Sequence, residues 1–509
     1  MISLITCSAM AGIAEWVCTP GELTPPLYRA LASCPVIHRW AVSDPRTAAY
    51  FALGRVQATA RPVALVAGNG ADAAAMLPAV TEAYYQRRPM LIITMAETGD
   101  NGGTGAPQCT ETENIFGLFA TTRTLELPCA VSDLPDLAGA AADGFPIHLH
   151  LRLNSETVRS QGDFSAVEIA EAPAPPAFRG SLVTLSQMLR FRAQEGLVLA
   201  IGALDPAEQE PVLWLAQTLR VPVIAEAASG LREELAPYLL HDAETLLRSC
   251  PPRYLLRVGE VPVSPFWKQL EEMPNTEVFS ITRSGFSGLN RRSTVIEGDP
   301  EQIMKALGDV PTVGDTERLL PRSRHAVGRM EEELFAAPES AGALVRALSH
   351  YAALEDVICL GSPTAAELWN RCAQTQISTL YVRDLAARSS MGVLASFLGN
   401  AADAPSALCL VGDLALLQDA TAPLHLMHEL PEGRRIIAVL NNGGAAAARN
   451  ESAEDIEWER LMMQPPAFSA ADLASLWGAD YYAIRSEADL EVLDTMDDSA
   501  FVLLELLPD

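Results

Sequence analysis

Two short stretches of the chain carry residue types suited to holding a charged ligand. Gly412-Asp413 closes the apolar run Ala407-Leu-Cys-Leu-Val-Gly-Asp, and Asn441-Asn442-Gly443-Gly444 closes the apolar run Arg435-Ile-Ile-Ala-Val-Leu. A carboxylate, an amide oxygen and a main-chain carbonyl are hard oxygen donors, the set Mg²⁺ takes when it bridges a protein carboxylate to a diphosphate. Glycines let the backbone approach phosphate oxygens closely. The pattern predicts Asp413, Asn442 and the carbonyl of Gly443 or Gly444 as metal ligands, with Gly412 beside the diphosphate. A Gly-Asp after a strand also serves as a plain turn and helix cap, so this motif alone leaves both readings open.

These residues meet only if their strands end at one edge, which a parallel sheet ensures. Each third of the chain has the required rhythm: short β-branched runs ending in Gly or Asn, each followed by an Ala/Leu/Glu-rich helical pattern. The first third shows Pro62-Val-Ala-Leu-Val-Ala-Gly-Asn-Gly and Met90-Leu-Ile-Ile-Thr-Met. Gly196-Leu-Val-Leu-Ala-Ile-Gly, Val221-Pro-Val-Ile-Ala-Glu and Arg253-Tyr-Leu-Leu-Arg-Val-Gly lie in the middle, and Asp356-Val-Ile-Cys-Leu-Gly and Ala500-Phe-Val-Leu-Leu-Glu-Leu join the last. The expected fold class is α/β, with three tandem doubly wound parallel-sheet domains. Pro-rich linkers at Glu171–Phe178 and Val310–His325 set the expected boundaries at 1–170, 180–310 and 326–509.

Composition excludes several roles. With 64 acidic against 36 basic residues and a formal charge of −28, the surface repels nucleic acid and anionic lipid. Nine scattered cysteines, none in a C-x-x-C pair, indicate neither a disulfide framework nor a zinc site and fit a reducing cytoplasm. The N-terminus has no basic region before an apolar one, and no apolar run is long enough to span a membrane. His148 and His150 lie on the strand-like run Pro146-Ile-His-Leu-His-Leu, where one of them could face solvent. Gly99 to Gly105 reads as a loop over the mouth of the site, and no G-x-S-x-G elbow supports a hydrolase.

Ordered motifs along nearly the whole chain give a sharper reading. Thr19-Pro-Gly-Glu-Leu-Thr-Pro-Pro-Leu27, Asp44-Pro-Arg-Thr-Ala-Ala-Tyr-Phe-Ala-Leu-Gly54, Leu77-Pro-Ala-Val-Thr-Glu-Ala83, Gly105-Ala-Pro-Gln108 and Trp214-Leu-Ala-Gln-Thr-Leu219 occur in that order, followed by the Gly-Asp and Asn-Asn pair and a tail from Glu459 to Pro508. Together they resemble the thiamine-diphosphate (ThDP) enzymes, and within them the MenD family, synthases that add a succinyl semialdehyde unit to isochorismate. The resemblance implies a pyrimidine-binding first domain, a central domain and a diphosphate-binding last domain, with ThDP and Mg²⁺ as cofactors. It also implies a homodimer or a pair of dimers, with sites at the subunit interface, acting on a 2-oxo acid. Residue by residue it places Gln108 at the cofactor's reactive face, Ser390 or Met391 under its bent V shape, and Asn69 and Gly70 along its binding surface.

The sequence departs from that pattern at several places. ThDP chemistry in the family starts with a buried glutamate that bonds the pyrimidine nitrogen, and the matching position is Pro45, which has no hydrogen-bonding side chain. Asp44 is adjacent and is the nearest carboxylate in sequence, equally suited to capping a helix. The metal loop is one residue shorter than N-N-x-G-G, and Ala445-Ala446-Ala447 replaces apolar bulk after it. Where the family uses arginines for dianionic substrates, this chain has Glu22-Leu23-Thr24, Ala96-Glu97-Thr98-Gly99 and Phe266, which counts against isochorismate and 2-oxoglutarate. Arg46, Arg383 and Arg388 are the remaining carboxylate contacts to consider. Three readings follow: a ThDP enzyme with modified activation, a non-catalytic partner subunit with the same fold, or a binder of another nucleotide or phosphate ligand.

Overall fold

The structure, a computed structural model, describes residues 1–97, 104, 112–129, 131–153, 164–374, 380–382, 391–444, 460–461, 463–464 and 467–509. Among these residues the strands form three sheets. β1 (Glu15–Cys18), β2 (His38–Ala41), β3 (Val63–Val66), β4 (Met90–Glu97), β5 (Thr121–Leu127) and β6 (Ile147–Leu153) build the first, in the order β2-β1-β3-β4-β6-β5. β7 (Leu197–Ile201), β8 (Val223–Ala225), β9 (Tyr254–Val258), β10 (Glu277–Thr282) and β11 (Thr294–Glu297) build the second, in the order β11-β10-β9-β7-β8. β12 (Val357–Leu360), β13 (Leu380–Val382), β14 (Ser406–Gly412), β15 (Arg434–Leu440), β16 (Asp480–Ile484) and β17 (Phe501–Leu506) build the third, in the order β13-β12-β14-β15-β17-β16. Neighbouring strands in each sheet run parallel, and the first and third sheets share one strand order.

The expected α/β class with three parallel-sheet domains is therefore what the chain adopts. Central strands such as β3, β7 and β9 are buried along their full length, as expected for strands covered on both faces. Helices start where Asp or Ser precedes Pro. Asp44, Asp299 and Ser362 each accept a hydrogen bond from a first-turn N–H, and Pro45, Pro300 and Pro363 follow with a preset φ and no N–H to satisfy. The segment Val310–His325 differs from the linker read in the sequence. A helix spans Leu319–Ala336, because Pro321 falls in its first turn, where proline is tolerated.

The chain folds as two compact units, residues 1–176 with 391–403 and 419–431, and residues 177–390 with 404–418 and 432–509. In the first unit the helix Pro45–Thr59 crosses the helix Val393–Ala401 at glycine. A Cβ on Gly54 would lie 2.2 Å from the Ser396 carbonyl oxygen, and one on Gly399 would lie 2.4 Å from that of Phe51. Beside this crossing Arg55 is 2% exposed. Its guanidinium donates to both oxygens of Glu15 at 2.8 Å, to Asp403 at 2.5 Å and to the Gly399 carbonyl at 3.1 Å. Trp40 Nε1 adds a bond to Glu15 at 2.7 Å. Removing the cation would strand Glu15 in a place poorly reached by water. Arg55→Met is expected to lower unfolding stability by about 3–5 kcal/mol, read from urea denaturation; a midpoint unchanged within error would show that the network contributes nothing.

His148 and His150 depart from the sequence reading. They are 0% and 4% exposed, so neither faces solvent. Positions i and i+2 of β6 share a face, and Thr94 Oγ1 lies 2.8 Å from His148 Nε2 and 2.8 Å from His150 Nδ1. Burial and the neighbouring His150 push His148 down from its ordinary value to about 3. Between about pH 6.5 and 3 the unfolded chain binds a proton here and the folded chain does not, so stability falls as pH falls through that window. Urea denaturation between pH 6.5 and 5 should show a smaller loss for His148→Gln than for the wild type, the difference approaching about 1.4 kcal/mol per pH unit. Equal slopes would rule out a neutral, buried His148.

Candidate functional site

In the second unit, β14 and β15 deliver their carboxyl ends to one edge. The register pairs Gly412 with Leu440, so Asp413 and Asn441 come level immediately beyond the paired residues. Asp413 is 2% exposed. Its Oδ1 accepts from Leu414 N at 2.7 Å and its Oδ2 from Gly444 N at 2.7 Å. The second bond folds the short loop back onto the carboxylate, and Gly443 and Gly444 allow this with φ of 79° and 105°. Gly412 is less constrained, since a Cβ there would meet only Ser362 at ordinary contact distance.

Sequence reasoning missed the support around this loop. Asn441 continues the ladder through its N–H to the Leu506 carbonyl at 3.0 Å, and its Nδ2 donates to Glu505 Oε1 at 2.6 Å. Tyr481 Oη donates to the other Glu505 oxygen at 2.5 Å. With its nitrogen held by Glu505, the Asn441 amide has its oxygen as the remaining acceptor end. Counting from the ends of the two apolar runs would have shown this, because Val411-Gly412-Asp413 and Val439-Leu440-Asn441 are in step. Asn442 lies one residue further out and forms part of the wall of a cavity of about 700 Å³. At the same edge Ser362 caps the helix Pro363–Cys372, accepting from Ala365 N at 3.2 Å.

This donor set fits a divalent cation bridged to a diphosphate. Each Asp413 oxygen accepts one N–H and keeps a second lone pair, and an asparagine amide oxygen and glycine carbonyls stand in the same loop. Among the described residues no group of three His, Cys, Asp or Glu side chains could hold a metal.

The other expected residues that the structure describes belong to the first unit. Asp44 caps the helix Pro45–Thr59, its Oδ2 accepting from Thr47 N at 2.7 Å, with Pro45 as the first helical residue. Asn69 caps the helix Gly70–Gln86 and accepts from Asp72 N at 3.0 Å. The Asn69 loop is pressed against the Pro20-Gly21 segment: a Cβ on Gly68 would lie 2.0 Å from the Pro20 carbonyl, and one on Gly21 would lie 2.2 Å from that of Gly68. Met391 is half-buried, and Gly392 after it packs on the Tyr50 ring. Arg46 forms an ion pair with Asp419 at 3.6 Å. Burial raises the Asp419 carboxyl above its ordinary range, while the Ala395 N–H and Arg46 oppose that shift. Gln108, Ser390, Arg383 and Arg388 lie outside the described residues.

Comparison with known proteins decides the family. Residues 3–115 match the thiamine pyrophosphate enzyme, N-terminal TPP binding domain. A 2-succinyl-5-enolpyruvyl-6-hydroxy-3-cyclohexene-1-carboxylate synthase from Akkermansia muciniphila is 43% identical, over 100% of this chain and 95% of that protein. The chain belongs to this synthase family. More distant relatives of the same name include one from Lysinibacillus sphaericus, 25% identical over 96% of this chain and 90% of its own length. Another from Geobacillus thermodenitrificans is 27% identical over 92% and 86%. The resemblance read from the motifs is thus shown, and with it a ThDP-enzyme fold. Among the described residues no helix is long and apolar enough to cross a membrane.

Within this synthase fold, Asp413→Asn would place an amide NH₂ against the N–H of Leu414 or Gly444. The variant should lose about 1–3 kcal/mol of unfolding stability without any added metal, as expected when a buried hydrogen-bonding group loses its partner. Unchanged chemical denaturation would mean that the loop does not rest on the carboxylate.

Proposed function

We propose that the chain is a ThDP- and Mg²⁺-dependent synthase that decarboxylates a 2-oxo acid and transfers the acyl fragment to an acceptor. The convergence of Asp413, Asn441 and the Gly443-Gly444 loop at one sheet edge, in a chain related to synthases over its full length, carries this reading. Asp413, with Asn442 or the level Asn441 and a carbonyl of Gly443 or Gly444, would hold Mg²⁺ and through it the diphosphate. In a second copy of the chain, Asn69, Gly70 and either Ser390 or Met391 would line the rest of the cofactor, and Gln108 would stand at its reacting face. When bound, ThDP supplies the electron sink that makes loss of CO₂ feasible. The products named for the relatives carry several carboxylates, so the substrates of this chain are proposed to be small organic anions, bound in a homodimer or pair of dimers in the cytoplasm.

The activation step is the non-standard part. Pro45 offers no proton-carrying group, and Asp44 spends one oxygen on the Thr47 N–H. Asp44 therefore assists through its charge at the helix start, and the proton leaves by another group or by water. That same loss favours a second reading, a binding or partner subunit without catalysis. A third, another nucleotide or phosphate ligand in the same cleft, uses the same sheet edge. Calorimetry with Mg²⁺ and ThDP, followed by NMR of the thiazolium C2 proton, separates them. We expect binding, and C2 exchange faster than in free cofactor. Absence of binding at millimolar ThDP would sink the proposal, and binding with unaccelerated exchange would move the choice to the partner subunit.

A further inference from the structure

In the first unit the buried carboxylate of Asp419 joins the starts of two helices. It lies on the segment 419–431 and is 0% exposed. Its Oδ2 accepts from Ala395 N at 3.0 Å, in the first turn of the helix Val393–Ala401. Gly392, at the cap position of that helix, has no side chain to offer, so the acceptor for the orphan N–H comes from a residue 24 positions further along the chain. The positive end of the helix favours an anion there. The other oxygen, Oδ1, makes no hydrogen bond and meets Arg46 Nη2 at 3.6 Å through charge, at the start of the helix Pro45–Thr59. Burial raises the Asp419 carboxyl; the Ala395 N–H, Arg46 and the Leu394 N–H draw it down, and Asp44 adds to the rise.

Two packed helices held at one point can pivot, and a second point of attachment fixes their angle. The Gly54–Gly399 crossing is the first point. The Asp419–Arg46 contact is the second, eight residues away along the helix, or about 12 Å at about 1.5 Å per residue. Met391 stands immediately before Gly392, and Gly392 lies so close to the Tyr50 ring of the helix Pro45–Thr59 that a Cβ has no room. We infer that Asp419 is a positioning residue: it sets Met391 against the start of the helix Pro45–Thr59, and through Met391 the seat of the cofactor's pyrimidine side. The inference rests on the proposed ThDP reading for what Met391 touches. With Pro45 in place of a glutamate the site has no directional bond to the ring at that position, so the placing of the surfaces that remain counts for more.

The test begins with the full-length protein, without cofactor, labelled with ¹³C at its methionine methyl groups, with Met391→Leu used to assign the Met391 resonance. We expect Asp419→Asn to move that resonance and to leave that of Met304, buried in the second unit, in place. An unmoved Met391 methyl overturns the inference. Calorimetry far below the melting temperature then compares ThDP with inorganic pyrophosphate, each with Mg²⁺, since pyrophosphate probes the Asp413 edge alone. Asp419→Asn should weaken ThDP by about tenfold and leave pyrophosphate unchanged. Unaltered ThDP affinity, or an equal loss for pyrophosphate, overturns the inference, because a merely structural role moves both probes or neither. Should that variant fail to fold, Arg46→Gln leaves the cap on the helix Val393–Ala401 intact and should move the Met391 methyl and weaken ThDP by about threefold; failure of either result overturns the inference. Because the methyl readout needs no cofactor, a wild type that binds no ThDP while its Met391 methyl answers to Asp419→Asn rejects the proposed reaction and leaves the hold of Asp419 on Met391 standing.

Discussion

A parallel sheet sends every strand's carboxyl end to the same edge, and the candidate site around Asp413 depends on that constraint. Gly412 and Leu440 are paired, so the residues that follow them emerge side by side, one a carboxylate and the other an amide. Their separation in sequence then matters little. The same geometry brings the Ser362 cap to this edge through β12, and it brings Glu505 within reach of Asn441 through β17. Just after β15 the backbone closes onto Asp413 through the Gly444 N–H. The Asp413 carboxylate therefore has a structural task that exists before any ligand arrives.

The start of the helix Pro45–Thr59 shows how a chemical loss and a structural gain coincide. Asp-Pro is a strong helix opening, with a side-chain acceptor for the orphan N–H and a fixed φ at the next residue. A glutamate at the second position could carry a proton but would open the helix less firmly. The same opening recurs at Asp299-Pro300 in the second unit, where the sequence pattern suggests no activation chemistry. The first unit then anchors this helix through Arg55 and the Gly54–Gly399 crossing, so its position is set by packing independent of residue 45.

Much of this was readable from the sequence because it is local. Strand cores announce themselves as apolar runs, and Asp-Pro, Asn-Gly and Gly-Asp mark their ends. The parts that were not readable depend on long-range placement. That Asn441, and not Asn442, stands level with Asp413 follows from inter-strand register, which a motif does not carry. The burial of both His148 and His150 follows from the residues packed against their rings, Thr94, Thr112, Phe116 and Thr122, which come together only in the fold. Pro321 concealed the start of the helix Leu319–Ala336, since proline signals a break except in the first turn.

The assignment of residues 391–403 and 419–431 to the first unit bears on how the protein is made. A ribosome releases the N-terminal sheet long before it reaches those residues, and at typical elongation rates the gap is on the order of tens of seconds. Throughout that interval the face of the helix Pro45–Thr59 that will meet Gly399 has no cover, and Gly54 leaves its main chain bare there. The N-terminal third thus cannot complete its fold while it is being synthesised. It waits for its own distant C-terminal segments.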